Sequence, residues 1–186
     1  MALVKAQLSC SESRRETVIQ SAIAVFAERG YLGTPIADVA KHARISQAYV
    51  FKLFPSKEEL FVAALERCFQ FIERALAEGA DSSKDQQPDA VLFAMGGAYA
   101  ALIADQDLLK LQVHAQSVAG VPKIASTFRK GLKATTTFAK KRSGASDEAV
   151  QRFMAYGQLC HLITVMRLDE EKAAWAQILT KGIRHP

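Results

Sequence analysis

Residues 34–60 read Thr34-Pro-Ile-Ala-Asp-Val-Ala-Lys-His-Ala-Arg-Ile-Ser-Gln-Ala-Tyr-Val-Phe-Lys-Leu-Phe-Pro-Ser-Lys-Glu-Glu-Leu60, and their spacing decides the fold. It predicts two short helices joined by a tight turn, followed by a freshly capped third. Thr34 is placed to cap a helix whose first position is Pro35, where the missing N–H costs nothing because first-turn donors are unpaired. Ile36, Val39, Ala40 and Ala43 then form an apolar stripe at helical spacing. Ala43-Arg44-Ile45 is the turn, and Ser46 caps the next helix, from Gln47 to about Phe54. On it Val50, Leu53 and Phe54 share an inward face, which leaves Ala48, Tyr49 and Lys52 outward and Gln47 at the open N-terminal end. A second helix that shows its N-terminal residues to solvent is how a helix-turn-helix enters a major groove.

The flanks extend the pattern. Upstream, Ser13-Arg14-Arg15-Glu16 has the form of a capping box, opening a helix with Val18, Ile19, Ala22, Ile23 and Phe26 on one stripe and an end near Gly30. Downstream, Ser56-Lys57-Glu58-Glu59 repeats the box, and Leu60, Phe61, Ala64, Leu65, Cys68, Phe69 and Ile72 continue as a long amphipathic helix.

From about residue 12 to 66 this order resembles the N-terminal DNA-binding domain of the TetR family of transcriptional regulators, and the Phe-Pro-Ser-Lys-Glu-Glu-Leu tail carries much of the likeness. Two positions depart from it. Many members have glycine at the turn where this chain has Arg44, and an L-residue held in a left-handed conformation costs roughly 1–2 kcal/mol. Where the family often has Tyr-x-His-Phe, this chain has Phe51, Lys52, Leu53 and Phe54, so Lys52 and Tyr49 stand in for the usual phenol and imidazole.

Charge points the same way. Residues 1–57 contain eight Lys or Arg and four acids, a net of +4 out of the chain's +5. A phosphate-facing surface requires that concentration. At 186 residues and 49% apolar the chain buries a substantial core, in one globule or two small units. Cys10, Cys68 and Cys160 are widely spaced and odd in number, which favours free thiols in a reducing cytoplasm over a disulfide framework. No secretory or membrane-spanning stretch is present, so no membrane partner is expected.

After a polar connector at 79–88, the remainder reads as helical throughout, at about 88–104, 106–118, 122–142, 147–167 and 170–183. The fold class is therefore all-α. It comprises an N-terminal three-helix helix-turn-helix domain, 1–56, and a C-terminal helical bundle, 57–186, for effector binding and dimerisation. The helix from Ala90 to Ile103 is apolar on most of its circumference and holds Gly96 and Gly97, each costing roughly 1 kcal/mol relative to alanine. Close helix packing or space for a ligand would account for them. The resemblance implies an effector pocket among these helices. Phe93, Tyr99, Gln112, His114, Phe128, Phe153 and Tyr156 are candidates to line one, each open to the alternative of an ordinary packed or surface side chain.

Apolar residues of 150–168 occupy two faces, and a small domain usually buries one. The face with Met154, His161, Val165 and Leu168, joined by Trp175, Ile178, Leu179 and Ile183, fits a partner helix pair in a homodimer, as in the family's four-helix interface. Enzymatic readings fare poorly: Cys160 and His161 are neighbours about 100° apart around a helix, and His42, His114, His161 and His185 lack metal-ligand spacing. No catalytic residue, cofactor or metal is expected. The expected function is a ligand-responsive regulator, more a repressor than an activator, that binds a palindromic double-stranded operator as a homodimer and is released by a small, largely apolar effector. Gln47, Ala48, Tyr49 and Lys52 would lie nearest the bases, with Phe51 able to contact a thymine methyl; Thr34, Tyr49, Lys52 and Lys57 are candidates for phosphate contacts, Arg14, Arg15 and Arg44 would add longer-range attraction, and Ser46 completes the DNA-binding set. A ligandless or nucleoid-type DNA-binding protein and a helical small-molecule carrier are the rival readings.

Overall fold

A computed structural model of the chain describes residues 10–182, with side chains from residue 11 onward, and every regular element among them is a helix. In chain order these are α1 (Cys10–Gly33), α2 (Ile36–His42), α3 (Gln47–Leu53), α4 (Lys57–Ser82), α5 (Pro88–Ile103), α6 (Gln106–Ser117), α7 (Pro122–Ser143), α8 (Asp147–Met166) and α9 (Ala174–Thr180). Ile183 lies outside the described residues.

The first three helices build a small head. α1 is already helical at Cys10, so Ser13 does not cap it; its carbonyl accepts instead from the Thr17 hydroxyl, one turn on, at 3.0 Å. The stripe Val18, Ile19, Ala22, Ile23 and Phe26 is buried as its period requires. Helical dihedrals break at Gly30 (φ 71°, ψ 176°), a region open essentially to glycine alone. Thr34 departs from expectation. It is fully buried and its hydroxyl donates to the Gly30 carbonyl at 2.7 Å, so it neither caps α2 nor is available to a phosphate. The N-cap of α2 is Pro35, without a side-chain bond.

Between α2 and α3 the chain makes a Schellman turn: Ile45 N–H donates to the Ala40 carbonyl and Arg44 N–H to that of Lys41. Arg44 sits in the left-handed region at φ 55°, the conformation the turn demands. The Ser46 hydroxyl then accepts from Tyr49 N–H at 3.2 Å and starts α3. Ser56 does the same for α4, accepting from Glu59 N–H at 3.1 Å.

α4 is the spine. Leu60, Phe61, Ala64, Leu65, Cys68, Ile72 and Leu76 are buried along its length, and the Phe61 ring meets Phe26 and Tyr31 edge-on at 4.9 and 5.2 Å. α4 packs against α1 on one side and against α5 and α7 on the other, while α6 packs against α1 as well as α8. Head and body therefore meet along two seams. Among the described residues no helix is long and apolar enough to cross a membrane.

α8 carries the largest correction. His161 and Met154, expected on an outward dimer face, turn inward: His161 is 4% exposed and Met154 is half-buried against the core. Val165, Trp175 and Ile178 are outward as expected, and Leu162 and Met166 take the places of His161 and Met154 on the exposed apolar face. Leu168 and Leu179 are half-buried. A helix with apolar side chains on two faces leaves its rotation unspecified by period alone, and here His161 turns inward to share a hydrogen bond with Tyr99.

Candidate nucleic-acid interface and effector cavity

The head presents one end of α3 to solvent. Val50 and Phe54 are buried beneath it, with the Arg15 guanidinium 4.4 Å over the Phe54 ring. Gln47, Ala48, Phe51 and Lys52 are exposed and Tyr49 half-exposed, all within two turns of the Ser46 cap. Phe51 is 42% exposed, an apolar side chain that the head leaves uncovered. Ser46 is exposed but its hydroxyl is committed to the cap, and Arg44 projects from the turn before it.

Lys57 is less free than its sequence position suggests. Its amine donates to the Leu32 carbonyl at 3.2 Å and lies 5.0 Å from the centre of the Tyr31 ring, pinning the start of α4 to the end of α1. Partial burial holds its pKa below the ordinary lysine value.

In the body, α4, α5, α7 and α8 surround a cavity of about 260 Å³. Phe69, Ile72 and Leu76 of α4, Leu92 of α5, Leu132 of α7, and Phe153 and Met154 of α8 give it apolar walls. Gly96 and Gly97 line it too, and a Cβ at Gly96 would stand 3.8 Å from Phe153, so that glycine opens space for a ligand and is not forced by a close helix approach. Of the candidates from sequence, Phe93, Tyr99, Gln112, Phe153 and Tyr156 come together on this cavity. Two do not. Phe128 packs edge-on against the outer side of Phe69 at 5.4 Å, one ring removed from the space. His114 leaves the cavity altogether and sits against Gly30 at the seam of α1 and α6, where a Cβ on residue 30 would fall 2.8 Å from its Nδ1.

The polar end of the cavity is a buried cluster. The Tyr99 hydroxyl and His161 Nε2 share a 2.5 Å hydrogen bond, and Gln112, buried on α6, donates to the Leu108 carbonyl at 3.2 Å. Burial raises the Tyr99 phenol well above its ordinary pKa, opposed by the Gln112 side chain, and pushes His161 down to about 4. Both are neutral at ordinary pH. Cys160 also faces the cavity, its thiol raised by burial, while Cys68 is pushed up to about 12 by burial first and Asp105 second. Sequence reading missed Phe69, Ile72, Leu76, Leu132 and Cys160 as lining. The α4 residues belong to a stripe that reads as plain core, and only the gap left by two glycines on α5 turns them into a wall. Among the described residues no three His, Cys, Asp or Glu side chains come together to hold a metal.

Residues 18–64 match the family described as bacterial regulatory proteins, tetR family. The head is thus similar to the DNA-binding domain of the tetR family, and the match covers about a quarter of the chain. Its head is 33% identical over 57 residues to the biofilm operon icaADBC HTH-type negative transcriptional regulator IcaR of Staphylococcus epidermidis, a match that covers 31% of each chain. The likeness to such curated relatives thus spans about a third of their length. Over almost the whole chain the tetR fold recurs in solved structures. A TetR-family transcriptional regulator from Agrobacterium tumefaciens superimposes with a TM-score of 0.71 at 19% identity, covering 91% of this chain and 95% of the other. The transcriptional regulator FadR from Bacillus subtilis, in complex with stearoyl-CoA, gives 0.68 at 19% identity over 91% of this chain and 99% of its own. At that identity the likeness concerns the fold.

Proposed function

We propose that this chain is a homodimeric transcriptional repressor of the tetR family that binds a near-palindromic operator and is released by a small, largely apolar effector. The observation that carries the reading is the exposed face of α3, where Gln47, Ala48, Phe51 and Lys52 stand clear of a capped helix on the most basic part of the chain. Gln47 and Lys52 supply donors for base edges, and Phe51 an apolar contact for a thymine methyl. Lys57, with Arg14, Arg44 and the half-exposed Tyr49, supplies the sequence-blind attraction to phosphates. Repression is supported by the IcaR name, a negative regulator, and an apolar effector by the cavity walls and by the acyl thioester in the FadR neighbour.

Two copies would meet through Leu162, Val165 and Met166 of α8 with Trp175 and Ile178 of α9, an apolar patch that a monomer leaves in water. The two-fold axis then spaces two reading helices one DNA turn apart. The proposed division, a reading head to residue 56 and an effector body from 57, puts α4 between them: its first turn is pinned to the head by Lys57 and its later turns wall the cavity. An effector weakens operator binding only as far as it prefers the arrangement of α4 in which the heads no longer match the groove spacing. Selection of genomic fragments with the purified protein, followed by titration of the best duplex at two salt concentrations, tests the reading. A palindromic site with strongly salt-dependent affinity is expected, and sequence-blind retention would overturn it.

A further inference from the structure

We infer that the effector is an uncharged molecule of one or two fused rings that carries a single hydroxyl or carbonyl oxygen, which binds oxygen-first against Tyr99. The inference rests on the reading of the cavity as an effector site, and it names the chemistry of what enters.

Size comes first. An apolar cavity of about 150 Å³ is filled by benzene, so about 260 Å³ takes a body of about ten heavy atoms. The walls are aliphatic and aromatic, which suits a fused ring.

The deep end sets the polar group. A phenol hydroxyl offers one donor and two acceptor positions. At Tyr99 the protein fills one, with His161 Nε2 at 2.5 Å, while the Gln112 amide donates to the Leu108 carbonyl, and Tyr99 itself lines the cavity. The phenol therefore keeps room for a ligand. Whether the phenol donates to it or accepts from it follows from the proton on His161, and His161 Nδ1 is buried with no partner to fix the tautomer. With the proton on Nε2, histidine donates to the phenol oxygen and the phenol O–H is free to donate to a carbonyl. With the proton on Nδ1, the phenol donates to Nε2 and keeps a lone pair for a ligand hydroxyl. His161 is thus a positioning residue that lets one phenol serve either kind of oxygen.

Charge is excluded at this end. Tyr99, Gln112 and His161 are all neutral, and an anion or cation brought against them would lose its water without a counter-ion. The charged lining residues, Asp89 and Arg152, are exposed ones at the cavity's solvent side.

Calorimetric titration of the purified full chain with naphthalene, 1-naphthol, 1-tetralone and 1-naphthoate tests this. Naphthol and tetralone should each bind at least fivefold more tightly than naphthalene, and naphthoate more weakly than either. Tyr99→Phe, which keeps the ring, should erase the advantage of both oxygen-bearing probes while leaving naphthalene affinity within twofold. His161→Leu should weaken the two unequally, because the phenol is then no longer re-aimed. Naphthoate as the tightest ligand, equal affinity for naphthalene and naphthol, or no heat with any probe overturns the proposal. Operator titration without any probe stands apart from these outcomes, so a regulator with a different effector is distinguished from a protein that is no regulator.

Discussion

Two arginines hold left-handed backbone, Arg44 at φ 55° and Arg167 at φ 53°, each in a Schellman turn at the end of a helix. The first was legible, because a turn of three residues between two apolar stripes leaves little choice of conformation. The second was not, since Leu168 and Asp169 look the better turn formers and Arg167 continues a good helical run. Arg44→Gly should raise stability by about 1 kcal/mol, read as a higher urea midpoint with an unchanged slope. Glycines divide by what surrounds them. A Cβ at Gly131 would stand 2.3 Å from the Phe69 ring, whereas at Gly96 it meets only open space and Phe153 at 3.8 Å. Gly131→Ala should therefore cost about 2 kcal/mol and displace a cavity wall, while Gly96→Ala should add up to about 1 kcal/mol of helix stability. Thermal melts of the two variants should move in opposite directions.

At the scale of elements, caps and stripes were readable and rotation was not. Ser46 and Ser56 start α3 and α4 as their spacing requires, because a cap is a local event decided by three or four residues. The start of α1 and the facing of α8 depend on contacts remote in sequence. Tyr99 and His161 are 62 positions apart, and nothing in the α8 pattern says which of its two apolar faces will find that phenol. A face through Ala155, Leu162, Val165 and Met166 fits the sequence equally well and is the one left outward. The same limit applies to the cavity, where the polar residues were identifiable on α5, α6 and α8 but the aliphatic wall of α4 was not. For α3 the consequence is direct. Lys52→Ala should weaken operator binding across all sequences and lower the salt slope by about 1 if the amine meets a phosphate, or relax preference at one base pair if it meets a base edge. Filter binding on the selected site and on single-base variants separates the two.

For the whole molecule, burial of His161 links stability to pH. Its folded pKa, about 4, lies below its ordinary value of 6.5, so between those values the unfolded chain binds more protons. Stability from this residue is intact above about pH 6.5 and falls away as the pH drops toward 4, by at most about 3 kcal/mol. His161→Gln should flatten denaturation midpoints across that window. Assembly is the second property of the whole. Sedimentation should give twice the 20.3 kDa chain mass at micromolar concentration, and Leu162→Glu with Met166→Glu should return it to the monomer value.

The ring of His114 lies over Gly30, where any side chain would intrude to within 2.8 Å, and the Gly30 carbonyl also takes the Thr34 hydroxyl that leads into α2. Reading heads of this kind are consequently not interchangeable parts. A head transplanted from a relative onto this body must bring a glycine to the position that His114 covers, or the body must surrender its imidazole, before the chimera can recover a parent's response.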